Sequence, residues 1–314
     1  MPLSSTTTFT LTRNDLIQAT CRATGYLGSG ETLSTDDYTN LSQALNIMVK
    51  GWAATPGLSL WVTQEIALPL IPSLRVYPIG NTAGYVYSIS ASGGSGYISG
   101  GTWTATNGTL GTAASGTYTV AGGVIDVMTI LVAGDSYTSA PTTFTLSGPG
   151  SGATITATIA GLTTHRPLKI LQRGNFIRDV SGNDAELIQL SRQEYNVYGV
   201  KTTAGKPNSF YYDPQLTNGY IYFYNVPDLS TYTACLQVQR QFFDMVGASD
   251  NFDFPQEWFG ALKWGLAAEA ASELGVRADM IPYFEGKAAA ALERCFDFSV
   301  EEASTYFTVD TQGR

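Results

Sequence analysis

The chain has 314 residues, 44% of them hydrophobic and only 14% charged, with a net charge of -9. A sizeable core can be buried, while Gly, Ser, Thr and Asn stand in for the roughly 25% charge of an average globular chain. Lysine and arginine do not cluster, which argues against tight nucleic-acid binding, and no run approaches about 18 consecutive apolar residues, so no membrane span is expected.

The order Met1-Pro2-Leu3-Ser4-Ser5 has no basic segment followed by an apolar one, so no secretory signal is expected. Cys21, Cys235 and Cys295 are odd in number and far apart. They fit neither a metal spacing nor a disulfide framework, and buried, reduced thiols are expected.

A first helix is predicted over 12–27, with Thr12 as cap and Asp15 answering it. Leu16, Thr20, Ala23 and Leu27 share one face, and Gly25, Gly28 and Gly30 break the pattern. A second helix is predicted over 35–53, capped at Ser34 or Thr35. Asp36 and Asp37 suit its positive end, and Leu41, Leu45, Met48 and Trp52 form an apolar stripe. Together they make a helical hairpin.

At about residue 84 the composition changes. Residues 84–161 hold 16 of the 33 glycines and only two charges, Asp126 and Asp135. Two stretches repeat weakly at a spacing of about 40 residues, the size of a small β-unit. Val86-Tyr87-Ser88-Ile89 through Gly96-Tyr97-Ile98-Ser99 resembles Val127-Met128-Thr129-Ile130 through Ser136-Tyr137-Thr138-Ser139, and Thr102-Trp103-Thr104 matches Thr143-Phe144-Thr145. Two such units are expected to form one inserted β-domain.

Strand signals resume at Leu168-Lys169-Ile170-Leu171. The runs Phe210-Tyr211-Tyr212-Asp213 and Tyr220-Ile221-Tyr222-Phe223-Tyr224 flank the turn 214–219 and predict a hairpin. Tyr220, Tyr222 and Tyr224 are the candidate subunit-interface residues, because tyrosine is favoured in such contacts. Leu236-Gln237-Val238-Gln239 reads as a further strand. Asp253 and Pro255 open a C-terminal helix lined by Trp258, Leu262 and Leu266, and Gly275 suits its cap. Pro282 opens the last helix, with Phe284, Ala288, Ala291, Leu292 and Cys295 on its buried side. From about 298 an extended tail is expected.

No constellation for catalysis is found, and no cofactor or metal is expected. His165 is the only histidine, beside Arg166-Pro167. Gly148-Pro149-Gly150-Ser151-Gly152 lacks the Gly-Lys-Ser/Thr ending of a phosphate loop and leads into alternating Thr, Ile and Ala, so it reads as a turn. Asp36-Asp37 and Glu301-Glu302 read as caps or solvated pairs. Tyr97, Trp103, Tyr118, Tyr137 and Phe144 could stack on sugars, but their periodic placement favours a small β-core.

A further set of segments carries a family resemblance. These are Lys50-Gly51-Trp52; Leu60-Trp61-Val62-Thr63-Gln64-Glu65; Thr164-His165-Arg166-Pro167-Leu168-Lys169-Ile170; Gln193-Glu194-Tyr195; Gly205-Lys206-Pro207; Tyr224-Asn225-Val226-Pro227-Asp228; and Phe254-Pro255-Gln256-Glu257-Trp258. In this order they resemble the head-to-tail adaptor family of short-tailed bacteriophages, also called connector or packaged-DNA-stabilisation proteins, over about 10–83 and 163–310. The resemblance implies an α+β fold: a helical core with a β-hairpin, built from 1–83 and 162–314, here carrying the inserted all-β domain 84–161. It implies a non-enzymatic virion protein, made in the host cytoplasm, that forms a homo-oligomeric ring, dodecameric in the family. The ring would join the portal protein to the tail tube or nozzle and help retain DNA, which passes without tight binding. The tail, with Tyr306, Phe307 and Val309, would bind the portal. A tail-fibre or surface β-protein whose insert recognises glycans is the alternative reading.

Overall fold

A computed structural model of the chain describes residues 9–28, 30–53, 61–163 and 165–298. The chain divides into two compact units, residues 1–61 with 242–314, and residues 62–241.

The first unit begins with α1 (Arg13–Thr24). The Thr12 hydroxyl accepts from the Asp15 N–H while the Asp15 carboxylate accepts from the Thr12 N–H. Gly25 ends the helix at φ 78°, a left-handed position that residues with a Cβ resist. In front of α2 (Thr35–Ala53), Ser34 and Asp37 make the same reciprocal exchange. Hydrogen bonds from the two caps hold the Asp15 and Asp37 carboxyls below the usual range.

The second unit is built of strands. β1 (Thr63–Pro69) and β2 (Val76–Ile79) lead to β3 (Tyr85–Ser95), β4 (Gly101–Ala105), β5 (Ser115–Ala121), β6 (Val124–Val132), β7 (Phe144–Leu146) and β8 (Ser151–Ala160). β9 (Lys169–Ile170), β10 (Phe176–Arg178), β11 (Asp184–Glu186) and β12 (Ile188–Leu190) are short. A six-residue helix, α3 (Arg192–Val197), precedes β13 (Ser209–Pro214), β14 (Gly219–Tyr224) and β15 (Thr233–Gln239).

Four sheets result. One runs β1-β15-β10-β11, with β9 also on β15; its β1 and β15 pair antiparallel from Thr63↔Gln239 to Pro69↔Thr233. A second runs β12-β13-β14-β2, with β12 parallel to β13. Their inner faces share one core in which Tyr77, Ile79, Phe210, Ile221, Phe223, Ala234, Leu236 and Val238 are fully buried. The alternation in Gly219–Tyr224 explains its part: every second residue is buried and the tyrosines between are half-buried.

Residues 84–161 supply the other two sheets, the ribbon β3-β8 and the sheet β6-β5-β4-β7. They enclose a second core of Val86, Tyr97, Trp103, Ala105, Ala114, Tyr118, Ile125, Tyr137 and Ala157. Strands matched by the internal repeat hold matching places. β3 corresponds to β6 and β4 to β7; β3 pairs with β8 as β6 pairs with β5, and β4 pairs with β7. Tyr97 and Tyr137, aligned by the repeat, are both buried. The ribbon turns outward the cross-strand pairs Ser88↔Thr158, Ser90↔Thr156 and Ser92↔Thr154, an uncharged ladder of hydroxyls. Entry and exit lie together: the Gly80 N–H donates to the Gly161 carbonyl, and Gly84 exchanges two main-chain bonds with Tyr137.

The chain then returns to the first unit. A 3-10 turn at Gln256–Trp258 runs into α4 (Phe259–Glu269), and α5 (Ile281–Phe298) follows. Trp258 is buried against Trp52 and Trp61, with ring centroids 6.2 and 4.9 Å away, and Phe254 stacks on Phe242 at 4.7 Å. Gly265 lets α4 approach α2, since a Cβ there would lie 2.7 Å from the Met48 sulfur. α4 ends before the expected cap; turns continue to Gly275 at φ 65°.

The expected α+β fold with a helical core and one hairpin is overturned. The described residues are mostly β, with 15 strands in four sheets, and the helices, α3 apart, belong to the unit formed by the two chain ends. The reason is strand length. β2 and β9 to β12 have two to four residues each, too few to show a period of two against their flanking loops.

Three buried tyrosines give the β-unit an alkaline limit. Burial raises the Tyr77 and Tyr85 hydroxyls well above their ordinary range and pushes Tyr212 up to about 12. Above about pH 10 the unfolded chain gives up these protons while the folded one keeps them. Stability that is complete below pH 10 therefore falls as pH rises toward 12. Denaturant unfolding at pH 8 to 12 checks this, and Tyr212→Phe should flatten the slope by about 1.4 kcal/mol per pH unit. In the helical unit, Trp258→Ala should cost about 3–5 kcal/mol in the same assay, because the indole is fully enclosed. A cost under about 1 kcal/mol would show that the aromatic knot does not carry that unit.

Candidate functional site

The three hairpin tyrosines lie on one face of β14, opposite the core. In register, Tyr220 faces Asp213 and Pro78, Tyr222 faces Tyr211 and Val76, and Tyr224 faces Ser209. The helix α3 lies over part of this face. Its start is fixed by Ser191, whose hydroxyl accepts from the Glu194 N–H while the Glu194 carboxylate accepts from the Ser191 N–H. Tyr195 is thereby set against Tyr211 and Tyr222, with both centroid distances 5.9 Å. Tyr211 and Tyr222 stack at 5.7 Å, and Tyr198 stacks on Tyr224 at 4.0 Å and 20°.

Two of the three predicted interface rings, Tyr222 and Tyr224, thus already have partners inside their own chain. Tyr220 differs. It lines a groove of about 410 Å³ together with Leu74, Val76, Pro78, Leu131 and Val132. Leu131 is 68% exposed. Sequence reasoning missed this groove because Leu131 and Val132 lie some 90 residues from Tyr220, and only the pairing of β2 with β14 and the packing of β6 bring them together. The Asp213 carboxylate closes one end of the tyrosine face, accepting from the Tyr211 hydroxyl at 3.2 Å with the Arg192 guanidinium 4.0 Å away. Burial, then the charge of Asp213, raises the Tyr211 hydroxyl above its ordinary range.

The other candidates are placed as follows. Tyr306, Phe307, Val309 and the Glu301-Glu302 pair lie outside the described residues. Tyr97, Trp103, Tyr118 and Tyr137 are buried in the second core and offer no ring face for stacking on a sugar; Phe144 is half-buried against Trp103. Gly148 to Gly152 links β7 to the strand β8, with Gly148, Gly150 and Gly152 at positive φ, and no helix follows. His165 is exposed, its carbonyl accepting from the Thr163 hydroxyl. Asp37 caps α2. The three cysteines are buried and unbridged, and burial pushes the Cys21 thiol up to about 11.

Among the described residues, no group of three or more His, Cys, Asp and Glu side chains could hold a metal ion. No helix among them is long and apolar enough to cross a membrane. Comparison with protein-family models and with curated proteins gave no match for this chain.

Proposed function

We propose that the chain is a non-enzymatic structural protein of a short-tailed phage, an adaptor ring between the portal and the tail. Assembly is the part the geometry supports best, and the groove at Tyr220 carries it. Leu131 and Val132 stand exposed beside the half-buried Leu74 and Val76, and exposed apolar side chains gathered at a groove suit a contact with another protein surface. A ring closed by heterologous contacts uses such a patch on each subunit against a different patch on the next. The portal and tail partners rest on the ordered motifs quoted above.

The distribution of charge suits the same reading. Residues 62–241 hold nine acidic and nine basic residues, so the whole net charge of -9 belongs to the unit formed by the chain ends. An acidic surface along a channel would let DNA pass without adhering. On this reading Tyr306, Phe307 and Val309 meet the portal, other surfaces receive the tail tube or nozzle, and the ring, a dodecamer by the resemblance, resides in the virion neck.

Negative-stain imaging and sedimentation velocity test assembly directly. The wild-type chain should form closed rings, and Leu131→Asp should leave far-UV circular dichroism unchanged while shifting the population to monomer. Rings that persist undiminished in Leu131→Asp would remove the groove from the interface, and a wild type monomeric at every concentration would remove the ring. Deleting 304–314 should leave the melting temperature nearly unchanged and abolish co-sedimentation with portal; full-stoichiometry co-sedimentation would place the docking surface elsewhere.

A further inference from the structure

A second cavity in the β-unit, of about 480 Å³, is lined by Ser73, Arg75, Lys201, Thr202, Ala204 and Val226. Its walls are held by main-chain bonds. The Ser73 N–H donates to Pro227 at 2.8 Å and the Phe223 N–H to the Arg75 carbonyl at 3.0 Å. The loop carrying Lys201 is tied down by the Val226 N–H on Thr203 and the Gly205 N–H on Val226, each at 2.9 Å. Ser73 itself sits at φ 66°, a conformation unfavourable for a residue with a Cβ. Such outliers persist where the surroundings fix them, and they gather at ligand sites.

Neither Arg75 nor Lys201 has a carboxylate partner among the described residues, whereas Arg192 and Lys206 in the same unit reach Asp213 and Asp179. The Lys201 ammonium lies 5.4 Å from the centre of the Tyr195 ring. Tyr195 is 4% exposed, and its hydroxyl is buried beside the Arg75 guanidinium. The Arg75 guanidinium, by its charge and by a hydrogen bond, opposes the rise that burial causes in that hydroxyl. The hydroxyls of Ser73 and Thr202 add to the wall.

Two cations and two hydroxyls, with no carboxylate among the lining residues, complement a ligand that carries close to two negative charges and several acceptor oxygens. We propose that this cavity binds an oxyanion of the phosphate class, with Arg75 and Lys201 neutralising its charge and the Ser73 and Thr202 hydroxyls donating to its oxygens. The site is separate from the groove at Tyr220 and stands whether or not the chain forms a ring. The phosphate could be free or terminal, or part of a nucleic-acid backbone.

Isothermal titration of the full chain with sodium phosphate, at constant ionic strength against a sodium chloride blank, tests the proposal. Saturable binding is expected at one site per chain. Lys201→Gln and Arg75→Gln should each weaken it at least about ten-fold, with circular dichroism unchanged in both variants. Lys201→Gln keeps the test open should Arg75→Gln fold poorly. Phosphate heats no larger than the chloride blank, equal binding of acetate, or undiminished binding in Lys201→Gln would each overturn the proposal. Titration with a short oligonucleotide, with and without a 5′-phosphate, separates the sources. Binding that needs the 5′-phosphate identifies a free or terminal group, and binding without it that is lost in Lys201→Gln identifies the phosphodiester backbone.

Discussion

A hydroxyl buried in an apolar core must find an acceptor, and in the β-unit this requirement governs how the parts join. Tyr85 opens β3 and is fully buried in the core of the two host sheets, where its hydroxyl donates to the Pro69 carbonyl at 2.8 Å. Tyr77 bonds both the N–H and the carbonyl of Ile71, and Tyr212 donates to the Pro167 carbonyl at 2.6 Å. Each bond fastens a strand to the end of another strand or to the loop beside one. The acceptors are the carbonyl of Pro69 at the end of β1, the backbone of Ile71 just beyond it, and the Pro167 carbonyl before β9. Losing one of these partners would leave a polar atom in a dry core, which costs more than the bond itself contributes. The same logic recurs inside residues 84–161, where the Tyr137 hydroxyl accepts from the Ala114 N–H and Tyr118 donates to Ser147.

Against that background, some of the fold was legible in the sequence and some was not. The cap at Thr12 could be read because Asp15 is three residues away, the cap of α2 only as Ser34 or Thr35, and the hairpin of β13 and β14 because its alternation is strong and its turn short. The proportion of helix to strand could not. β9, β10 and β11 exist only as partners of β15 and of one another, and a two- or three-residue strand has no pattern of its own. The parallel pairing of β12 with β13 depends on α3 spanning the connection, which no local signal announces.

The site followed the same division. Tyr220, Tyr222 and Tyr224 were visible as a run, but the run did not say that α3 would bring Tyr195 and Tyr198 onto two of them. Arg75 and Lys201 drew no attention because each is an isolated cation in a polar loop. What distinguishes them is the absence of a counter-charge among the described residues, a property of the fold rather than of the sequence. Chemistry made by convergence of distant residues is the part a linear reading is least equipped to find.

The junction of residues 84–161 with the host strands has an evolutionary consequence. The chain leaves at Gly84 and re-enters at Gly161, and neither position admits a side chain: a Cβ would lie 2.3 Å from the Tyr137 carbonyl at the first and 2.7 Å from the Pro78 carbonyl at the second. With the two ends already at main-chain bonding distance, closing the excursion adds only a term that grows slowly with its length. Cassettes of different size could therefore be exchanged at this doorway with little penalty to the host sheets. A newcomer would need glycine at its exit, where the Pro78 carbonyl of the host leaves no room for a Cβ, and a buried ring in the place of Tyr85. Lineages carrying this scaffold would then diverge fastest between those two glycines, as surface modules were traded while the frame stayed fixed.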